Sequence, residues 1–203
     1  MIKNTSLENK NVLITGGAGF IGSELTKQVL SHGAKVSVVD NLVNGKKSNL
    51  DLDDKNSMFY EEDIRNQQVM QNLISKSDYV FNLACLGVRH SIHSPIESHS
   101  VNADATLNLL KMSKETDIKK FVHISTSEVY GTAKYVPMTE EHPTAPHTVY
   151  GASKLAAEKL FIAANNYSKK KFSVVKYGNV FNSRGSVVPA FLDQIKEKQK
   201  ILL

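Results

Sequence analysis

Asn11-Val12-Leu13-Ile14-Thr15-Gly16-Gly17-Ala18-Gly19-Phe20-Ile21-Gly22 is the stretch on which the reading of the fold turns. Its first five residues are a short apolar run that ends in glycines, the pattern of a buried strand. From Ile21 onward Ile21, Leu25, Val29 and Leu30 have helical spacing, and His32-Gly33 closes that helix. Residues 35–40, Lys-Val-Ser-Val-Val-Asp, form a second β-rich run. Strand, helix and strand within about 30 residues make a βαβ unit.

Glycines placed between such a strand and helix carry the fingerprint of dinucleotide binding. Gly16 or Gly17 permits the tight turn, Gly19 lets backbone approach a pyrophosphate, and Gly22 lets the helix pack closely on the strand. Phe20 and Ile21 open the helix, whose N-terminus offers free amide donors and a positive dipole end to phosphate. Asp40 ends the second strand roughly 20 residues on, where an acidic residue binds the adenosine ribose hydroxyls. Asn41 follows it and is assigned to the same cofactor set. A carboxylate at Asp40 repels a 2′-phosphate, so NAD is expected over NADP, although Lys46 and Lys47 could blunt the repulsion.

Outward from this unit the alternation continues. Residues 41–55 read as a polar loop, 58–60 as a strand, 66–75 as a helix and 79–84 as a strand. Residues 95–116 read as one long helix, 121–125 as a strand, 132–148 as a proline-containing loop, 150–167 as a helix and 172–177 as a strand. Strands alternating with helices imply an α/β fold with a parallel sheet covered on both faces.

The formal net charge of +5 comes from 25 basic and 20 acidic residues spread along the chain. The densest run, Lys169-Lys170-Lys171, reads as a solvated helix end and turn. A nucleic-acid groove needs a longer basic stripe. Cys85 is the single cysteine, which excludes an internal disulfide and suits a reducing, cytoplasmic setting. It reads as a small buried apolar residue beside a strand. No apolar run approaches the roughly 18 residues of a membrane span, and the polar N-terminal residues 1–10 have no signal-peptide core. The seven histidines lack metal-ligand spacing, so no metal site is expected.

Two further stretches carry chemistry. Tyr150-Gly151-Ala152-Ser153-Lys154 sets a phenol and an ammonium four residues apart, on one face of a helix. A free tyrosine has a pKa near 10, and a fixed cation nearby lowers it by stabilising the phenolate. Ser125-Thr126-Ser127-Glu128-Val129-Tyr130-Gly131 follows an apolar strand, at the end where open α/β sheets bind ligands. Thr126 is placed to hydrogen-bond a reacting hydroxyl beside Tyr150, and Lys154 to hold a nicotinamide ribose.

Taken in order, the glycine stretch, Ser125–Gly131 and Tyr150–Lys154 resemble the extended short-chain dehydrogenase/reductases, and within them the NAD-dependent nucleotide-sugar epimerases and dehydratases. The resemblance covers nearly the whole chain and implies a Rossmann-type doubly wound parallel sheet. It implies that Asp63 and Ile64 hold adenine, that Leu83 and Ala84 run under the cofactor, and that Ser125, Tyr177 and Val180 lie along it. Family members often carry histidine where Asn82 stands. Asn102 resembles the asparagine that steadies the active-site helix and is placed with the cofactor set, and Asn179 is expected to reach a substrate diphosphate.

The implied chemistry begins with hydride transfer from sugar C4 to NAD. Tyr150 takes the hydroxyl proton, Thr126 aids it and Lys154 tunes it. Epimerases turn the 4-keto sugar and return the hydride. Dehydratases eliminate water across C5 and C6, and decarboxylases lose carbon dioxide from a 4-keto uronic acid. Glu128 follows Thr126-Ser127, as in dehydratases and decarboxylases, and a carboxylate there can remove a C5 proton. That favours 4,6-dehydration. Ser127 replaces the aspartate of the Thr-Asp-Glu dehydratases, which puts a separate general acid in doubt.

The expected division is an NAD-binding domain over residues 1–180 and the start of a truncated substrate-binding lobe over 181–203. Gly185-Ser186-Val187-Val188-Pro189 resembles the entry into that lobe, and Gln199–Leu203 reads as the middle of a domain. A cofactor-binding module without turnover is therefore the second class of function. A homodimer is expected from helices 102–112 and 152–164, through Ala103, Ala105, Leu109, Ala156, Ala157 and Phe161.

Overall fold

A computed structural model describes residues 6–168, 171–183 and 187–197. The expectations for Lys169-Lys170, for Gly185-Ser186 and for residues 199–203 lie outside the described residues.

The described chain forms β1 (Asn11–Thr15), α1 (Phe20–Ser31), β2 (Lys35–Val39), β3 (Ser57–Tyr60), α2 (Gln67–Ser75) and β4 (Tyr79–Asn82). It continues through α3 (Val88–His93), α4 (Pro95–His99), a π-helical segment (Ser100–Ala105), α5 (Thr106–Lys114), β5 (Lys120–Ile124), α6 (Val149–Asn166), β6 (Lys171–Val175) and α7 (Val187–Lys196). All strand pairs are parallel, in the order β3-β2-β1-β4-β5-β6. This is the Rossmann order, and it reverses between β1 and β4, where the strand ends open a crevice.

β1 is buried on both faces, which is why it reads as a continuous apolar run. Alternate residues supply two cores. Val12, Ile14, Val36 and Val38 pack with Val29 of α1 on one face. Leu13, Val80, Phe121 and Phe172 pack with residues of α2, α5 and α6 on the other. Burial on this scale contributes about 1.5–3 kcal/mol per large side chain.

The glycine turn resolves the choice between Gly16 and Gly17. Gly16 has φ +68°, in the left-handed region that glycine alone adopts without strain. Gly22 lies where a Cβ would stand 2.2 Å from the Gly16 carbonyl oxygen, so α1 can seat against β1 only without a side chain there.

The expected helix over 95–116 is present as one uninterrupted helical run from α4 to α5, with a π-helical segment in its middle. The loop over 41–55 contains a single 3-10 turn, Lys47–Asn49, tied to the glycine turn by Asn49 Nδ2 and Lys46 N, which both donate to Ala18 O. α3 was not expected from sequence. α7 buries none of its residues within the described chain. No helix among the described residues is long and apolar enough to cross a membrane.

Candidate functional site

A groove of about 730 Å³ runs over the C-terminal ends of the strands. Asp40 and Asp63 follow β2 and β3, Gly16, Leu83 and Ala84 follow β1 and β4, and Thr126 and Tyr177 follow β5 and β6. The step from β2 to β5 crosses three strand spacings, roughly 14 Å. Of the expected cofactor set, Gly16, Gly19, Phe20, Ile21, Gly22, Asp40, Asn41, Asp63, Ile64, Leu83, Ala84, Ser125, Tyr150, Lys154, Tyr177 and Val180 line this groove, as do Thr126, Glu128 and Asn179.

The carboxylate of Asp40 accepts from Ala18 N at 3.0 Å and from Leu42 N at 2.8 Å. Each oxygen keeps acceptor capacity for a ribose hydroxyl. Asp63 is more fully engaged. Its oxygens accept from Arg65 Nε at 2.9 Å, Arg65 Nη2 at 2.7 Å, Arg65 N at 2.8 Å and Asn41 Nδ2 at 3.0 Å. The Arg65 guanidinium holds its pKa below the usual carboxylate value. To accept from an adenine amino group, Asp63 has to exchange one of these partners. The sequence reading missed Arg65.

Asn102 corrects an expectation, because it does not line the groove. It is wholly buried on the π-helical segment, where its Oδ1 accepts from Leu86 N at 2.9 Å and its Nδ2 donates to Leu86 O at 2.8 Å. A π-helical turn admits an extra residue into the helix, a feature frequent at functional sites. Here Asn102 braces the loop that leaves β4 from behind.

At the other end of the groove Thr126 and Tyr150 line the wall together, and Thr126 is close enough to the phenol to favour its ionised form. Thr126 Oγ1 also accepts from Glu128 N at 3.2 Å, capping the 3-10 turn that carries Glu128. The Tyr150 phenol is pushed well above its ordinary value, first by burial and then by Cys85, with Tyr177 and Glu128 adding to the rise. The net direction is therefore upward, burial outweighing the neighbours that favour the phenolate. The Lys154 ammonium sits 3.4 Å from His123 Nε2. Burial likewise pushes Tyr177 up to about 12.

Cys85 is a second correction. It is exposed, because the chain leaves the strand after Asn82 and carries Cys85 into the groove wall. It shares the groove lining with Tyr150, Lys154 and Tyr177, so the thiol stands at the reacting end.

Behind the groove lies a buried polar row. Thr15 Oγ1 and the Asn82 amide are 2.6 Å apart, the same amide lies 3.2 Å from His123 Nδ1 and 3.2 Å from Thr106 Oγ1, and His123 Nε2 meets Lys154 Nζ. Burial, and then the Lys154 charge, pushes the His123 pKa well below its usual value and keeps the ring neutral. Ser125 turns its hydroxyl away to donate to Glu158 Oε2 at 3.1 Å, and Lys176 donates to Glu158 Oε1 at 3.2 Å. Neither His123 nor Glu158 was expected from sequence. The available signal was a polar residue at an inward position: Phe121 and His123 point into the sheet's packing on alternate residues of β5.

The residues expected at a dimer contact pack the chain's own interior. Ala103, Ala105, Leu109, Ala157 and Phe161 are buried in it, and Ala156 is half-buried. The exposed large apolar residues of α5 and α6 are Leu107, Val149 and Ile162.

The model of the NAD dependent epimerase/dehydratase family matches residues 12–203. A putative UDP-glucose 4-epimerase of Methanocaldococcus jannaschii is 30% identical over 201 residues, 95% of this chain and 65% of that protein. UDP-glucuronic acid decarboxylase 1 of Danio rerio is 32% identical, over 88% of this chain and 43% of that protein. Among solved structures, the UDP-N-acetylglucosamine 4-epimerase of Methanobrevibacter ruminantium M1 superposes with a TM-score of 0.88 at 32% identity, covering 95% of this chain and 64% of that one. DesIV, a dTDP-glucose 4,6-dehydratase of Streptomyces venezuelae solved with NAD bound, superposes with a TM-score of 0.84 at 27% identity, covering 93% and 62%. The chain thus spans less than two thirds of the length of each of these relatives.

Proposed function

Because the chain belongs to the NAD-dependent epimerase/dehydratase family, we propose that it holds NAD across the strand ends and oxidises a nucleotide sugar transiently at C4. The observation that carries this reading is the convergence of Tyr150, Thr126, Glu128 and Lys154 at one end of the groove whose other end holds Asp40.

The residues present fit the cofactor. A Cβ at Gly16 would stand 2.6 Å from Ala84 N, so the groove floor is bare backbone at the turn. Asp40 holds a ribose diol, the N-terminus of α1 holds the pyrophosphate, and Lys154 faces the nicotinamide ribose. When bound, NAD supplies a hydride acceptor that later returns the hydride. Tyr150 Oη receives the proton of the sugar hydroxyl, which Thr126 hydrogen-bonds from the side. For this the phenol has to fall from its raised value, and a positive charge placed beside it acts in that direction.

Glu128 favours 4,6-dehydration. It is an exposed carboxylate in the groove, close enough to Tyr150 to act on its phenol. Oxidation at C4 acidifies the C5 proton, which a carboxylate within reach removes. The test incubates the enzyme with UDP-, dTDP- and GDP-hexoses in deuterated water. Dehydration places deuterium at C5, yields a 4-keto-6-deoxy product, and loses both after Glu128→Gln. A 4-epimer without C5 deuterium, at a rate that Glu128→Gln leaves unchanged, makes the enzyme an epimerase. That second reading is favoured by the 4-epimerases among its relatives. The decarboxylase relative makes UDP-glucuronic acid a further substrate to include. A homodimer through the outer faces of α5 and α6 would cover Leu107 and Ile162, and light scattering reports it.

A further inference from the structure

We propose that His123 is a positioning residue for Lys154: a neutral imidazole whose Nε2 accepts from the Lys154 ammonium and whose Nδ1–H is held by the Asn82 amide. The contact itself stands on geometry, and its consequence for cofactor binding rests on the reading of the groove given above.

Lys154 is 2% exposed, and no carboxylate pairs with it among the described residues. A buried ammonium needs an acceptor, and the one within hydrogen-bond reach is His123 Nε2 at 3.4 Å. An ammonium only donates, and a neutral imidazole has a single acceptor nitrogen. The lone pair therefore lies on Nε2 and the ring proton on Nδ1. Burial opposes a second charge here, in keeping with the neutral ring.

This proton placement orients the Asn82 amide. With its Nδ2 toward Nδ1, donors would face both ring nitrogens, of which only one carries a lone pair. A side-chain amide exchanges its oxygen and nitrogen by a half-turn. Turned over, Asn82 presents its oxygen to Nδ1–H and to Thr106 Oγ1. Thr15 Oγ1 then accepts from Asn82 Nδ2, as it already accepts from Ala84 N at 3.3 Å. The ring is stacked on Phe161 at 5.0 Å and 28°, which limits its rotation. Thr15 is the last residue of β1 before the glycine turn, so one buried row joins the phosphate-binding turn to the lysine at the reacting end. With one ammonium proton tied to His123, the others face the groove.

Three variants test this, each checked for folding by circular dichroism and thermal unfolding. His123→Phe keeps a ring against Phe161 and removes both nitrogens. By calorimetry it weakens NAD binding about tenfold, and His123→Gln, which can present an oxygen near the Nε2 position, recovers most of the loss. In a Lys154→Met background, His123→Phe has almost no further effect. Additive losses, or unchanged affinity in His123→Phe, overturn the proposal. Nitrogen-15 spectra of the His123 ring decide the contact without cofactor. The expected result is a neutral ring protonated at Nδ1, with an Nε2 resonance that moves on Lys154→Met. Protonation at Nε2, or an unmoved resonance, overturns it. A chain that binds no NAD refutes the cofactor reading instead, and the ring spectra still decide this one.

Discussion

The Asp40 carboxylate accepts the Ala18 backbone N–H at 3.0 Å, tying the end of β2 to the glycine turn that follows β1. Asp40 is buried, and its other oxygen accepts from Leu42 N. One side chain therefore shapes the turn and presents the charge that a ribose phosphate would meet.

Asp40→Ala is expected to weaken NAD binding about tenfold and to close the gap between NAD and NADP, since both the hydrogen bonds and the repelling charge go. Calorimetry with both cofactors measures it. A variant that still prefers NAD by the original ratio would show that another residue sets the preference.

Gly22→Ala is expected to destabilise the chain by about 1–3 kcal/mol, because its Cβ meets backbone rather than a flexible side chain. Gly87 is the control, since a Cβ there meets nothing within 4 Å. Gly87→Ala should stay within about 0.5 kcal/mol. Urea unfolding of the two variants compares them.

Tyr150→Phe should leave NAD affinity within about threefold and lower turnover by about 10²–10⁴-fold, the range for loss of a positioned acid–base group. Calorimetry and sugar-nucleotide turnover separate the two effects. Turnover that survives the substitution would move the proton-transfer role away from Tyr150.

His123 makes stability depend on pH. Its folded pKa lies well below the ordinary histidine value of 6.5, with burial the larger cause and Lys154 of α6 the second. Below pH 6.5 the unfolded chain binds a proton that the folded chain refuses, so stability is full above that pH and is lost as pH falls toward the folded pKa. The slope approaches about 1.4 kcal/mol per pH unit for one group. Denaturant unfolding at pH 7.5 and 5 should show a smaller loss in His123→Phe than in the parent chain. Equal losses would assign the slope to other groups.

Much of the fold and site is legible because it is local. The strand-glycine-helix order from Asn11 to Ser31, the alternation of strands and helices, and the spacing of Tyr150 and Lys154 depend on residues near one another in the chain, where periodicity and turn chemistry act. The less legible features depend on distant partners. Asn102 looked like a cofactor residue, and only packing against Leu86, sixteen residues away, turned it behind the groove. Cys85 looked buried because a strand seemed to run to Ala84, whereas β4 ends at Asn82. Asp63 looked free for adenine until Arg65 and Asn41 were placed on it.

By itself the sequence determined the parallel α/β sheet, the glycine turn after β1 and the identity of the groups that reach the groove, because strand and helix periods and the glycine positions are written within short windows. Tertiary structure alone decided which way those groups face. Lys154 meets His123, 31 residues away, and Ser125 turns to Glu158, 33 residues away. A buried polar atom takes the partner that the packed core brings to it, and no spacing along the chain specifies that partner.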